Sequence, residues 1–154
     1  NGYSLVRSVF ETDQNPSVLA TNVPETSHTL GELLLRPHLS YLNALSPVLD
    51  KIRGLGHITV GSFYKNIPRA LADGLGADVD ISTWSIPPLF KFIKESGHVE
   101  DQEMFRVFNM GVGMTIIVEP GLADDVLNNV PGAFRIGEVV KRAEGEERTK
   151  LIGL

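Results

Sequence analysis

Met114-Thr115-Ile116-Ile117-Val118 is the strongest buried-strand signal in the chain, an apolar run dominated by β-branched side chains. Through Pro120 and Gly121 it leads into Leu122 to Val130, whose apolar residues recur at helical spacing. Two more strands follow, Phe134 to Val140 and Thr149 to Ile152, with the charged turn Lys141 to Arg148 between them. Strand, helix and hairpin in succession predict a sheet covered by helices, an α+β fold.

The rest of the chain supplies the covering helices. Pro87 and Pro88 open a helix carrying Leu89, Phe90, Phe92 and Ile93, which Gly97 is expected to terminate, and a short helix spans Asp101 to Phe108. Ala77, Val79 and Ile81 alternate with Asp78 and Asp80, the pattern of a half-buried strand with a solvated carboxylate face. Asn66 to Leu71 reads as a helix start with Pro68 in its first turn, and Gly54 to Ser62 as a glycine-rich turn region. Leu39, Leu42, Leu45 and Leu49 share a helical face that Pro47 bends. Thr29-Leu30-Gly31-Glu32 has the form of a capping box and starts a short helix ended by Pro37. Asp13 to Ser27, with Pro16 and Pro24, reads as a loop, and Tyr3 to Glu11 sets Leu5, Val6, Val9 and Phe10 on one helical face.

Composition narrows the function classes. The 154 residues, 42% hydrophobic and 21% charged, suit one ordinary globular domain, expected to span 1–154. A net charge of −5 argues against non-specific nucleic-acid binding. The absence of cysteine removes disulfides, thiolate metal sites and cysteine nucleophiles, and suits the cytoplasm. No apolar run approaches the roughly 20 residues needed to cross a bilayer. The chain opens Asn1-Gly2-Tyr3-Ser4 without methionine, and the expectation is that an upstream part precedes it.

Three clusters carry candidate chemistry. Asn1, Gly2 and Ser4 head a helix, whose free N–H groups favour an anion such as phosphate or simply mark a capped helix start. Gly54 to Ser62 and the following Phe63 to Arg69 combine close glycines with His57, Thr59, Asn66 and Arg69 as donors, which suits an anion-binding concavity or a tight structural turn. The spacing matches neither a Walker loop nor a dinucleotide fingerprint. Asn109, Gly111 and Gly113 enter the buried strand, where the glycines permit close packing or a ligand laid across them. His28, His38, His57 and His98 are scattered, no two at helical spacing, and no metal site is expected from them.

Taken in order, these stretches resemble one family. They are Asn-Gly-Tyr-Ser-Leu-Val-Arg at 1–7, Leu-Gly-Glu-x-Leu-Leu-x-Pro at 30–37, and Gly-x-x-His-Ile-Thr-x-Gly-x-Phe-Tyr-x-Asn-Ile-Pro-Arg at 54–69. Trp84 with Pro87-Pro88, then Phe108 to Met114, then Ile136-Gly137-Glu138-Val139 complete the series. Together they resemble the C-terminal domain of the aminoimidazole ribonucleotide synthetases, the phosphoribosylformylglycinamidine cyclo-ligases of purine biosynthesis, over nearly the whole chain. The resemblance implies a three-layer α/β/α fold with a mixed sheet, partly ferredoxin-like. It also implies a two-domain homodimer whose N-terminal domain binds most of the ATP and Mg2+. ATP would activate the formyl oxygen of formylglycinamidine ribonucleotide for ring closure. Asn1, Gly2 and Ser4 would line the domain junction, His57, Thr59, Gly61, Asn66 and Arg69 would face the cleft, and Asn109, Gly111 and Gly113 would shape its floor. No catalytic base is assigned.

The chain departs from that family's pattern where Thr59-Val60-Gly61-Ser62 replaces Thr-Gly-Gly-Gly, and where His38 follows Pro37 in place of threonine. Valine disfavours positive φ, so a turn needing that conformation at position 60 would have to differ here. These changes leave a second reading open, a non-catalytic binding or regulatory module of the same fold. A relative acting on another substrate, in the selenophosphate synthetase or hydrogenase-maturation branch, is disfavoured by Phe-Tyr-x-Asn-Ile-Pro-Arg and Phe-Asn-Met-Gly.

Overall fold

The computed structural model describes residues 1–154. Helix α1 (Tyr3–Phe10) buries Val6 and Phe10, as its periodicity requires. The stretch read as a loop contains a 3-10 turn, Pro16–Ala20, and is anchored by the fully buried Val23. Helix α2 (Leu30–Leu34) starts at the expected capping box: the Thr29 side chain accepts from the Glu32 N–H, and the Glu32 carboxylate accepts from the Thr29 N–H. Helix α3 (Leu42–Leu45) runs into a 3-10 turn, Ser46–Lys51. The expected leucine face does not form there. Leu45 and Val48 are buried, three apart as 3-10 geometry favours, while Leu39, Leu42 and Leu49 stay exposed.

The first half of the region read as a glycine-rich turn, Gly54 to His57, lies in a strand, β1 (Ile52–His57), and only Thr59 to Ser62 turns. The strand's glycines, Gly54 and Gly56, serve close approach rather than turning. A Cβ on Gly54 would lie 2.5 Å from the Ala70 carbonyl oxygen, and one on Gly56 would lie 2.4 Å from Thr115 Oγ1. Helix α4 (Ser62–Asn66) begins earlier than expected, and a 3-10 turn, Pro68–Ala70, follows it. Strand β2 (Leu75–Asp80) and helix α5 (Pro88–Gly97) follow. The left-handed cap of α5 falls on His98, at φ 47° and ψ 41°, one residue beyond the glycine expected to take it. Gly97 is small for a different reason: a Cβ there would meet the Val9 side chain at 2.5 Å. Helix α6 (Asp101–Val107), strand β3 (Met114–Val118), helix α7 (Ala123–Asn129), strand β4 (Gly137–Lys141) and strand β5 (Thr149–Ile152) complete the α+β fold.

The strands form two sheets. In one, β1 pairs antiparallel with β3. In the other, the order is β4-β2-β5, antiparallel on the β4 side and parallel on the β5 side. The expected hairpin between the last two strands is therefore absent, because β2 lies between them. Asp78 is not solvated as its alternation suggested. It pairs with the largely buried Arg142, whose Nε also donates to the Glu147 carbonyl. Arg148 donates to the carbonyls of Leu71, Ala72 and Leu75, closing the start of β2.

Two cores hold these parts. The larger joins Val6, Leu30, Ile58, Phe63, Ile93 and Phe105 under the helices, and the smaller joins Leu45, Val48, Val126 and Val130 beside β1 and β3. Packing of Phe63 on Trp84 and Phe105, with centroids 6.0 and 5.9 Å away, centres the larger core. The β4–β2 register makes a specific demand, since a Cβ on Gly137 would lie 1.9 Å from the Asp78 carbonyl oxygen. Gly137→Ala is expected to lower stability by about 1–3 kcal/mol through forced separation of the strands. Denaturant unfolding checks this, and an unchanged midpoint would contradict the register.

Candidate functional site

The three sequence clusters meet around Phe108 and Asn109. Gly2 lies against the Phe108 ring, where a Cβ would come within 2.3 Å of it, and Phe90 packs on the same ring at a centroid distance of 5.6 Å. Ser62, fully buried, donates its hydroxyl to the Phe108 carbonyl. Asn109 closes a tight turn. Its Oδ1 accepts from the Gly111 N–H at 3.0 Å, and its carbonyl accepts from the Val112 N–H at 2.9 Å. Both central residues, Met110 and Gly111, have positive φ, and Met110 is buried with its carbonyl taken by Trp84 Nε1 at 3.0 Å.

A pocket of about 120 Å³ opens beside this point. Asn1, Arg36, His38 and Asn109 supply its polar groups, and Leu33, Phe90 and Phe108 are among its apolar walls. Neutral amides and one guanidinium above an apolar floor suit an anionic group carried on a larger organic body. Of the expected site residues, Asn1 and Asn109 line this pocket. Gly2 is packing against Phe108, and Ser4 lies on the polar face of α1 with Arg7, Ser8 and Glu11. Gly111 and Gly113 also make room for neighbours. A Cβ on Gly111 would meet Pro87 at 2.7 Å, and one on Gly113 would meet the Tyr41 hydroxyl at 2.0 Å.

The Thr59 to Ser62 segment is a tight turn closed by the Ser62 N–H on the Thr59 carbonyl at 2.9 Å. Its third residue, Gly61, takes φ 86° and ψ 3°, as a type II turn demands of that place. Val60 is the second residue, keeps a negative φ and is 72% exposed. The steric objection to valine at position 60 therefore does not arise. Asn66, buried, holds the turn through its Nδ2, which donates to the carbonyls of Thr59, Val60 and Ser62. Arg69 is exposed and donates from Nη1 to Asn66 Oδ1 at 3.2 Å.

The fold brings together two histidines that spacing kept apart. His57, at the end of β1, and His38 place their Nε2 atoms 3.1 Å apart, and His38 borders the pocket. Partial loss of solvent around an otherwise exposed ring first, then the neighbouring His57, holds the His38 imidazole below its ordinary range. Burial raises the Tyr41 hydroxyl beside it, so the phenol stays neutral. His28 and Glu32, four residues apart on the other side of α2's cap, also approach, at 3.7 Å.

A family model described as AIR synthase related protein, C-terminal domain, matches residues 1–150. The chain belongs to that family. Among its relatives is the phosphoribosylformylglycinamidine cyclo-ligase of Alkaliphilus metalliredigens, 44% identical over 147 residues that cover 92% of this chain and 42% of the relative. The chloroplastic enzyme of that name from Arabidopsis thaliana is 42% identical, over 91% of this chain and 37% of the relative. That of Desulfitobacterium hafniense is 41% identical, over 94% and 43%. The chain thus spans about two-fifths of the length of these relatives.

Within this AIR synthase C-terminal domain, Ser62 is the substitution that carries strain, since a buried serine sits at φ 48°. Its hydroxyl offsets that strain by satisfying the Phe108 carbonyl. Ser62→Ala keeps the strain and removes the donor, and is expected to cost about 1–3 kcal/mol. Ser62→Gly relieves about 1–2 kcal/mol of left-handed strain and should be the milder change. Unfolding midpoints in the reverse order would refute this balance.

The lowered His38 value makes stability depend on pH. A lowered folded-state value means the unfolded chain takes up a proton first as pH falls. The stability His38 contributes is present above its ordinary value of 6.5 and is lost as pH falls through the lower folded value. His38→Asn is expected to flatten stability against pH in that window, read by urea unfolding above and below it.

Proposed function

We propose that the chain is the C-terminal, substrate-binding domain of an ATP-dependent phosphoribosylformylglycinamidine cyclo-ligase of purine biosynthesis. The observation that carries this is identity above 40% with several enzymes of that name along nine-tenths of the chain. Asn1 and Asn109 on the lining of one pocket, with the Thr59 to Ser62 turn bonded behind it to the Phe108 carbonyl, support it. In this reading the ribonucleotide phosphate lies against the amides of Asn1 and Asn109 and the Arg36 guanidinium. Ser4 extends the junction with the N-terminal domain, and His57, Thr59 and Arg69 face the cleft. Gly61 and Asn66 act by holding the turn, and Gly2, Gly111 and Gly113 by letting backbone and aromatic rings close around the site.

ATP with Mg2+, bound mostly by the N-terminal domain, would supply activation of the formyl oxygen before ring closure. The donor set here suits an anion and not magnesium, which prefers clustered carboxylate oxygens. No three His, Cys, Asp or Glu side chains gather into such a group. The working enzyme in this reading is a homodimer of two-domain chains in the cytoplasm, handling a small nucleotide with no nucleic-acid or membrane partner. No helix of the chain is long and apolar enough to cross a membrane. A three-layer α/β/α arrangement, partly ferredoxin-like, belongs to the same reading. The one parallel strand pair beside an antiparallel one supports its mixed sheet. The isolated domain is expected to be inactive.

Turnover of formylglycinamidine ribonucleotide by the full-length protein with ATP and magnesium tests the reading. Product with matching ADP release is the expected result. A folded dimer without product would overturn it in favour of the non-catalytic module that Val60 and Ser62 first suggested. Arg69→Ala is expected to raise KM for the ribonucleotide about tenfold, the worth of one hydrogen bond to a charged group. An unchanged KM in a folded variant would remove Arg69 from the cleft.

A further inference from the structure

His38 and His57 come from different parts of the chain and stand edge to face, with ring centroids 4.6 Å apart and an interplanar angle of 87°. Their Nε2 atoms lie 3.1 Å apart, within reach of an N–H···N hydrogen bond when no ion is bound. Two imidazole nitrogens bound to one zinc ion at 2.0–2.1 Å lie about 2.9 Å apart when cis at a right angle and about 3.4 Å apart at the tetrahedral angle. The observed separation falls between these two spans. Both side chains are exposed, so a small ring rotation turns both lone pairs onto a shared point open to solvent. Gly113 makes the arrangement possible, because a Cβ there would lie 2.9 Å from His38 Nε2 and 2.0 Å from the Tyr41 hydroxyl.

We propose that His38 and His57 form a two-histidine site for a divalent transition metal, zinc or a metal of similar preference, at the rim of the pocket. Imidazole nitrogen selects such ions over magnesium, so this site is separate from any magnesium that accompanies ATP. Two protein ligands leave further coordination positions to water, or to an oxygen of a molecule held in the pocket beside Asn109. The inference stands on the histidine geometry and does not depend on the cyclo-ligase reading.

The test is titration of the protein with Zn2+ by calorimetry, repeated with Co2+ and read by its visible absorption. One ion per chain is expected, bound at least about tenfold more weakly by His38→Ala and by His57→Ala. His28→Ala, which removes the only histidine paired with a carboxylate, should bind like the unsubstituted protein. His38→Gln and His57→Gln, whose side chains keep the bulk and are poor ligands, replace any alanine variant that circular dichroism shows to be unfolded. Affinity in the His38 or His57 variants equal to that of the unsubstituted protein, loss of binding in His28→Ala, or no binding by the unsubstituted protein would each overturn the proposal.

Discussion

Much of the molecule is organised by a constraint on one residue, Phe108, at the end of α6. Its ring needs a residue without a Cβ at Gly2 and packs against Phe90 as well. Its carbonyl leaves the helix pointing at α4, where only the Ser62 hydroxyl meets it. A buried carbonyl without a partner is costly, so this bond fixes the start of α4 relative to the end of α6. The turn at Asn109 then reverses the chain into β3, with the Met110 carbonyl pinned by Trp84. Each candidate cluster thus meets Phe108 or its neighbours because it satisfies something that they require.

That arrangement explains why a turn with two replaced glycines keeps its shape. Glycine is needed only where the backbone is left-handed and nothing offsets the cost. Gly61 meets that description. Val60 does not, since its φ is negative, and Ser62 has a hydrogen bond that a glycine could not make. Asn66 adds the remaining control, drawing three carbonyls of the turn onto one amide.

The legible parts of this fold were those written in local spacing. The Thr29–Glu32 box, the amphipathic α1, the prolines opening α5 and the apolar run of β3 are all set by residues within a turn or two of each other. The motif order also carried the family. β1 was obscured because Gly54 and Gly56 mimic a turn, and their real cause lies with Ala70 and Thr115, far along the chain. The β4-β2-β5 order was hidden for a similar reason, since succession suggests a hairpin and only register reveals an intervening strand. Asp78 and Arg142, like His38 and His57, share no spacing that marks a pair. In the site, the residue types were readable from the sequence, while the distinction between lining a pocket and packing beside it required the neighbours of each glycine.

The separation into two cores has a consequence for how the molecule opens. A two-stranded sheet alone is marginal, so β1 and β3 rely on the small cluster around Leu45, Val48, Val126 and Val130. Tyr41 packs against that cluster, whereas Phe108 belongs to the larger core. The Phe108 side of the pocket and the Tyr41 segment next to His38 are therefore fastened to different cores. Amide protons around Tyr41 and α3 will exchange with solvent through partial openings that leave the Phe108 side closed.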